Sequence, residues 1–150
     1  MCIRDSYQSL LFKDQYTEDA LEIAASSFGQ MIETQLVTGE DGTQTRALSL
    51  REMRTRMLQE SKPVAAVFVG GMEGEEDEFR LCAELFPAMP RYLVAAPGGA
   101  AALLAKDHAL APPDSSDQLR KALADAYPYP FVMKLLVEDV NQHIRDRGLN

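Results

Sequence analysis

The chain has 150 residues, 46% of them hydrophobic, which is enough for one domain with a real core. It carries 23 Asp and Glu against 15 Lys and Arg, a net charge of −8. That balance argues against free nucleic acid as a partner, because phosphate contacts need clustered Lys and Arg.

No apolar run approaches the roughly 20 residues that span a bilayer. No basic start leads into an apolar core of the signal-peptide kind. Neither membrane nor export is therefore expected, and the cytoplasm is the expected location. Cys2 and Cys82 are too few for a disulfide framework and lack metal-ligand spacing. Both read as free thiols.

The first six residues, Met1-Cys2-Ile3-Arg4-Asp5-Ser6, resemble a hexapeptide that recurs at the front of gene models assembled from environmental DNA, where adaptor sequence has been translated. On that reading residues 1–6 are a non-native leader, residues 7–150 form a single domain, and native sequence is missing upstream.

Residues 7–12 read as the end of a strand running into a loop. Ala20, Leu21, Ile23, Ala24, Ala25 and Phe28 have helical spacing, which predicts a helix over 17–28 that Gly29 ends. Residues 31–37 alternate and predict a strand. Residues 38–45 form a polar turn with two glycines. The clearest helix is 47–61, with Ser49 as cap and Glu52 completing a capping box. Its Arg51, Arg54 and Arg56 are expected on a solvated or partner-facing surface.

Residues 64–69 (VAAVFV) are a continuous apolar run, the pattern of a strand covered on both faces. The glycine turn Gly70-Gly71-Met72-Glu73-Gly74 follows it, and then an acidic helix over 75–86. A second strand, 91–95, leads into Pro97-Gly98-Gly99 and a short alanine helix over 100–106. Residues 108–116 form a loop with two successive prolines. A helix over 117–126 is capped by Ser116 or Asp117, and a final amphipathic helix covers 131–147. Tyr127, Tyr129 and Phe131 read as packing anchors at the break between these last two helices. His108 and His143 read as surface residues.

The order is strand and helix in alternation, then helices. This predicts an α/β, Rossmann-like parallel sheet with flanking helices and right-handed crossovers. Only about three strands are visible, which agrees with N-terminal strands being missing.

Strand, glycine turn and helix is how parallel sheets build nucleotide sites. Glycine lets the backbone approach a ligand, and the helix N-terminus offers N–H groups and a positive dipole end. Two such turns on successive strands open on one sheet edge. The candidate ligand-binding residues are Gly70, Gly71, Glu73, Gly74, Gly98, Gly99 and Ala100. Glu73 suits a ribose hydroxyl or a base. The acids at 75–78 suit the dipole of the helix they begin. Five acids repel a bare phosphate, so the first turn suits ribose or base. The second turn is the better phosphate cradle, with the N–H groups of Gly99, Ala100 and Ala101 as donors.

The ordered set Tyr7-Gln8-Ser9, Ser49-Leu50-Arg51-Glu52-Met53-Arg54, Ala66-Val67-Phe68-Val69-Gly70-Gly71-Met72-Glu73-Gly74 and Gly98-Gly99-Ala100-Ala101 resembles the SLOG domains, specifically the group known as SLOG cluster 3. These are Rossmann-like relatives of DNA-processing protein A and of the LOG nucleoside-monophosphate hydrolases. The resemblance covers most of residues 7–140, and residues 67–74 are its most specific part. It implies a sensor of nucleotides or NAD-derived ligands, of ADP-ribose type or cyclic, in bacterial defence or stress systems. It also implies an effector domain or partner protein outside this chain, and leaves room for a homo-oligomer.

LOG enzymes continue after their second glycine turn with Thr and then Glu. Here Ala100, Ala101, Ala102 and Leu103 follow, and they supply no general acid or base. The expected role is therefore a sensor with no catalytic residues, metal or cofactor. Two alternatives stay open: a LOG-like hydrolase of an N-glycosidic or phosphate bond, with Glu73 as its acid, and a structural or oligomerising module.

Overall fold

The computed structural model describes residues 4–26, 29–40, 42–43 and 45–148, without the side chains of Arg4, Asp19, Ala20, Ile23 and Glu73. The elements are β1 (Arg4–Ser9), a 3-10 turn (Leu10–Gln15), α1 (Glu18–Ala25), β2 (Gly29–Thr34), α2 (Arg46–Ser61), β3 (Ala66–Val69), α3 (Glu73–Leu85), β4 (Arg91–Val94), α4 (Gly99–Leu104), α5 (Asp117–Ala124) and α6 (Tyr129–Asp146). The chain divides into two compact units, Met1–Lys62 and Pro63–Asn150. Each holds one two-stranded parallel sheet, β1 with β2 and β3 with β4. The mixed α/β class and the parallel pairing follow the pattern of the sequence. Of the leader read at residues 1–6, positions 1–3 lie outside the described residues, and β1 starts at Arg4.

In the first unit β1 and β2 run in register from Arg4↔Gly29 to Ser9↔Thr34. Gly29 thus opens a strand instead of closing a helix, and Phe28 lies outside the described residues. Three buried hydroxyls tie the loops down. Ser9 Oγ accepts from the Leu11 N–H at 3.3 Å and caps the 3-10 turn. Thr34 Oγ1 donates to the Gln8 carbonyl at 3.4 Å. Ser49 Oγ accepts from the Val37 N–H at 3.0 Å.

Ser49 therefore does not cap α2. Thr45 does, accepting from the Leu48 N–H, and the helix begins at Arg46, three residues before Ser49, which is buried inside it. Arg54 is buried too, against the expectation of a solvated face. The Tyr7 hydroxyl donates to Glu60 Oε2 at 3.1 Å, and Arg56 Nε donates to Glu60 Oε1 at 2.7 Å. That Arg56 hydrogen bond draws the Glu60 carboxyl below its usual range.

In the second unit β3 and β4 pair from Ala66↔Arg91 to Val69↔Val94, so their C-terminal ends are level. The Phe68 side chain meets the Phe79 ring of α3 edge-on at 5.3 Å. The opposite face of β4, Tyr92 and Val94, packs with Ala111, Leu119, Ala122, Leu123, Val132 and Leu136 of the loop, α5 and α6. On β3 that same face is not covered as the apolar run predicted: Val67 is 39% and Val69 43% exposed. Strand β4 is also held at its other edge, where the Leu93 N–H donates to the Leu110 carbonyl at 2.9 Å.

Pro130 sits in the first turn of α6, where its missing N–H costs no helical bond. The helix therefore starts at Tyr129 rather than after the proline. Of the three aromatics read as anchors, Phe131 packs against the core, whereas Tyr127 and Tyr129 are exposed.

A polar cluster closes this core. Tyr92 Oη and Ser115 Oγ both donate to Asp139 Oδ2, at 2.7 and 2.8 Å. His143, one turn along α6, is buried with Nε2 3.5 Å from Asp139 and Nδ1 3.5 Å from Asp114. The surface placement expected for His143 is thus corrected, and the residue four positions before it, Asp139, is its neighbour by helix geometry. His108 is exposed, with its ring 4.8 Å from that of Phe79. Burial first, and then the Asp139 hydrogen bond, push the Tyr92 phenol far above its ordinary range.

Asp139→Ala leaves two buried hydroxyls without their acceptor, at about 1–3 kcal/mol each, while Tyr92→Phe removes one donor and leaves the Asp139–Ser115 bond. Urea denaturation should show the Asp139→Ala loss to be the larger of the two.

Candidate functional site

The two glycine turns lie at the C-terminal ends of β3 and β4, the edge where open parallel sheets bind ligands. Gly70, Gly71, Gly98 and Gly99 all have positive φ, between 68° and 84°. Gly74 does not belong with them; it is the second residue of α3. Glu73 opens α3 through its backbone, and its side chain lies outside the described residues.

The turns are fastened to each other by backbone hydrogen bonds. The Ala100 N–H donates to the Gly71 carbonyl at 3.0 Å, and the Ala101 N–H to the Gly70 carbonyl at 2.8 Å. A side-chain cap is absent from α4. Two of its first-turn donors, the N–H groups of Ala100 and Ala101, are met by the other loop instead. The loop entering α4 is held from below, where the Leu123 carbonyl of α5 accepts from the N–H groups of Ala95 and Ala96 at 2.8 and 3.3 Å.

Close approach explains Gly99. A Cβ there would lie 2.6 Å from the Gly71 carbonyl oxygen and 2.7 Å from the Gly70 carbonyl carbon. Both obstacles are backbone and cannot swing away. Glycine is required at 99 by the neighbouring turn, in addition to its φ.

This arrangement alters the expected anion cradle. Of the three N–H groups assigned to a phosphate, those of Ala100 and Ala101 already have carbonyl partners. Gly99 and Ala100 shape the site by fastening the turns together.

Glu75 is the residue that sequence reasoning placed elsewhere. Its Oε2 stands 1.3 Å from where a Cβ on Gly71 would be, so the carboxylate lies over the first glycine turn. The signal was present: long helical side chains lean back toward the helix N-terminus and cover the preceding turn. Desolvation raises the Glu75 carboxyl above its ordinary range, a hydrogen bond to the Val69 backbone opposes this, and Glu78 raises it further. Its neighbours in the acidic run are engaged differently, since Arg80 reaches both Glu76 and Asp77 at 3.2 Å.

Apolar surface borders the same turn. Met72 is 85% exposed between Gly71 and Glu73, and Val69 is exposed just before it. Among the described residues no group of three His, Cys, Asp or Glu is arranged to hold a metal ion. Cys82 is buried, and burial pushes its thiol up to about 11, away from thiolate chemistry at neutral pH.

The SLOG cluster3 family model matches residues 4–123. The chain belongs to the SLOG cluster3 family. No curated protein and no solved structure matches it. Both glycine turns of this SLOG chain fall inside the matched region, while α6, which completes the core behind β4, falls outside it. Membership points to a nucleotide-related function. Among the described residues no helix of this SLOG protein is long and apolar enough to cross a membrane.

Two predictions follow from the turn geometry. Gly98 and Gly99 share a positive φ, but a Cβ at 98 would meet open space. Gly99→Ala should therefore destabilise the protein by at least about 1 kcal/mol more than Gly98→Ala in urea denaturation, since backbone must shift to admit it. Glu75 supplies a pH dependence. A carboxyl whose folded value is raised contributes stability below its unfolded value of about 4.3, and that contribution is lost as pH rises through the folded value. Glu75→Gln should thus unfold at higher urea than wild type at pH 7, and the advantage should vanish at about pH 4.

Proposed function

We propose that this chain binds a nucleotide-type or NAD-derived ligand at the edge where its two glycine turns meet. Occupancy is then passed to an effector domain or partner protein outside this chain. The observation that carries this reading is the fastening of two positive-φ glycine turns at the level ends of two parallel strands. SLOG membership supports a nucleotide-related ligand, and ADP-ribose-type molecules and cyclic nucleotides are the ones we propose. In this site Gly70, Gly71, Gly98, Gly99 and Ala100 form the rigid floor. Met72 and Val69 offer apolar contact for a base. Glu73 and Gly74 form the start of α3 beside it. A cellular role in bacterial defence or stress signalling fits such a sensor, and the cytoplasm is where its ligand would be found.

Binding without turnover is the expected behaviour, because among the described residues the fastened turns carry no nucleophile beside a base. Calorimetric titration with ADP-ribose, NAD, AMP and cyclic dinucleotides should give saturable binding for at least one of them, with the nucleotide recovered intact by chromatography. A product that forms with wild type and is lost in Glu73→Gln would instead establish the hydrolase. A folded protein that binds none of the panel would leave a structural module.

A further inference from the structure

We infer that the fastened turns read the hydroxyl-bearing ribose of the ligand through Glu75, and that the ligand's phosphate is not bound at the start of α4. The inference rests on the binding reading above and narrows it to one chemical group.

Three observations carry it. The N–H groups of Ala100 and Ala101 already donate to the Gly71 and Gly70 carbonyls. An incoming phosphate would have to break these bonds, and with them the contact that holds the two turns together. Secondly, the group standing over the turn is a carboxylate, with Glu75 Oε2 above the Gly71 Cα. A carboxylate accepts hydrogen bonds and repels a phosphate at the same point. Vicinal ribose hydroxyls are donors that can meet its two oxygens.

Thirdly, the protein meets the Glu75 carboxylate with a backbone hydrogen bond at Val69. Glu75 is partly buried, and the charged neighbour acting on it among the described residues is Glu78, a like charge. Arg80, one helical turn on, is directed to Glu76 and Asp77 instead. Beyond that one hydrogen bond, the two carboxylate oxygens keep acceptor positions that donors from outside can meet. Gly71 matches this geometry, since any side chain at 71 would displace the carboxylate from its position. The exposed Met72 next to it gives the apolar face of the attached base a surface to lie on.

The test uses the whole chain and four probes: ADP-ribose, AMP, 2′,3′-dideoxy-AMP and pyrophosphate. AMP should bind wild type at least about tenfold more tightly than the dideoxy analogue, because a site built to pair with hydroxyls rejects a ligand that lacks them. In Glu75→Gln that ratio should fall by most of its value, and Glu75→Asp should retain only part of it. Pyrophosphate should fail to compete with AMP. Equal binding of AMP and the dideoxy analogue to wild type would overturn the inference, as would an unchanged ratio in Glu75→Gln or competition by pyrophosphate. Binding of ADP-ribose without any binding of AMP would overturn it as well, while leaving the ligand-binding reading intact. If none of the nucleotides binds folded wild type, the binding reading itself falls and takes this inference with it. Equal wild-type binding of AMP and the dideoxy analogue, or competition by pyrophosphate, overturns the inference even if the variants fold poorly.

Discussion

Two backbone hydrogen bonds, from Ala100 to Gly71 and from Ala101 to Gly70, hold the candidate site in shape. Helix α4 has six residues, too few to persist in water on its own. It is stable because its underside is buried through Ala100, Ala101 and Leu104 and because the N–H groups of Ala100 and Ala101 are met by the carbonyls of the preceding turn. The same bonds fix the glycine turn after β3, which has only backbone to offer. Each turn therefore supplies what the other lacks, and neither conformation is set by its own local sequence.

That fastening decides the electrostatics. The positive end of α4 faces two carbonyl oxygens, which use the N–H groups of Ala100 and Ala101. What remains over the turn is negative: the Glu75 carboxylate, at the head of a helix that begins with an acidic run. A phosphate is disfavoured at such a point and a hydrogen-bond donor is favoured. The acidity of the chain, spread over the whole composition, gives no hint of this, because most acidic side chains do no more than keep a surface solvated. Position relative to Gly71 is what separates Glu75 from its neighbours.

Behind β4 the structure depends on a different economy. Asp139 accepts from Tyr92 and Ser115 through one oxygen, and so joins β4, the loop before α5 and α6 in a single buried cluster. His143 joins the same cluster from the next helical turn. This rigid backing, with the Leu123 carbonyl holding Ala95 and Ala96, keeps the second glycine turn in place beneath the site.

Much of this was legible along the chain. Apolar runs ending in glycine pairs marked β3, β4 and both turns, because a strand that enters a positive-φ turn needs glycine whatever surrounds it. The start of α5 was marked to within one residue, and of Ser116 and Asp117 it is Ser116 that caps it, since capping is a local hydrogen bond. Ser49 misled because a serine followed by Glu52 has the same local pattern, yet its hydroxyl is used by the distant Val37 N–H. Arg54 and His143 misled because the burial of a polar side chain depends on partners that folding brings from elsewhere. The amino-acid sequence by itself determined the α/β class, the alternation of strands and helices, and the glycines at the strand ends, all of which follow from backbone preference and hydrophobic period. Only the tertiary structure decided that the two turns hold each other, that the Ala100 and Ala101 donors of α4 are already paired, and that Glu75 stands over the site, because each is a contact between groups whose separation in space no local pattern encodes.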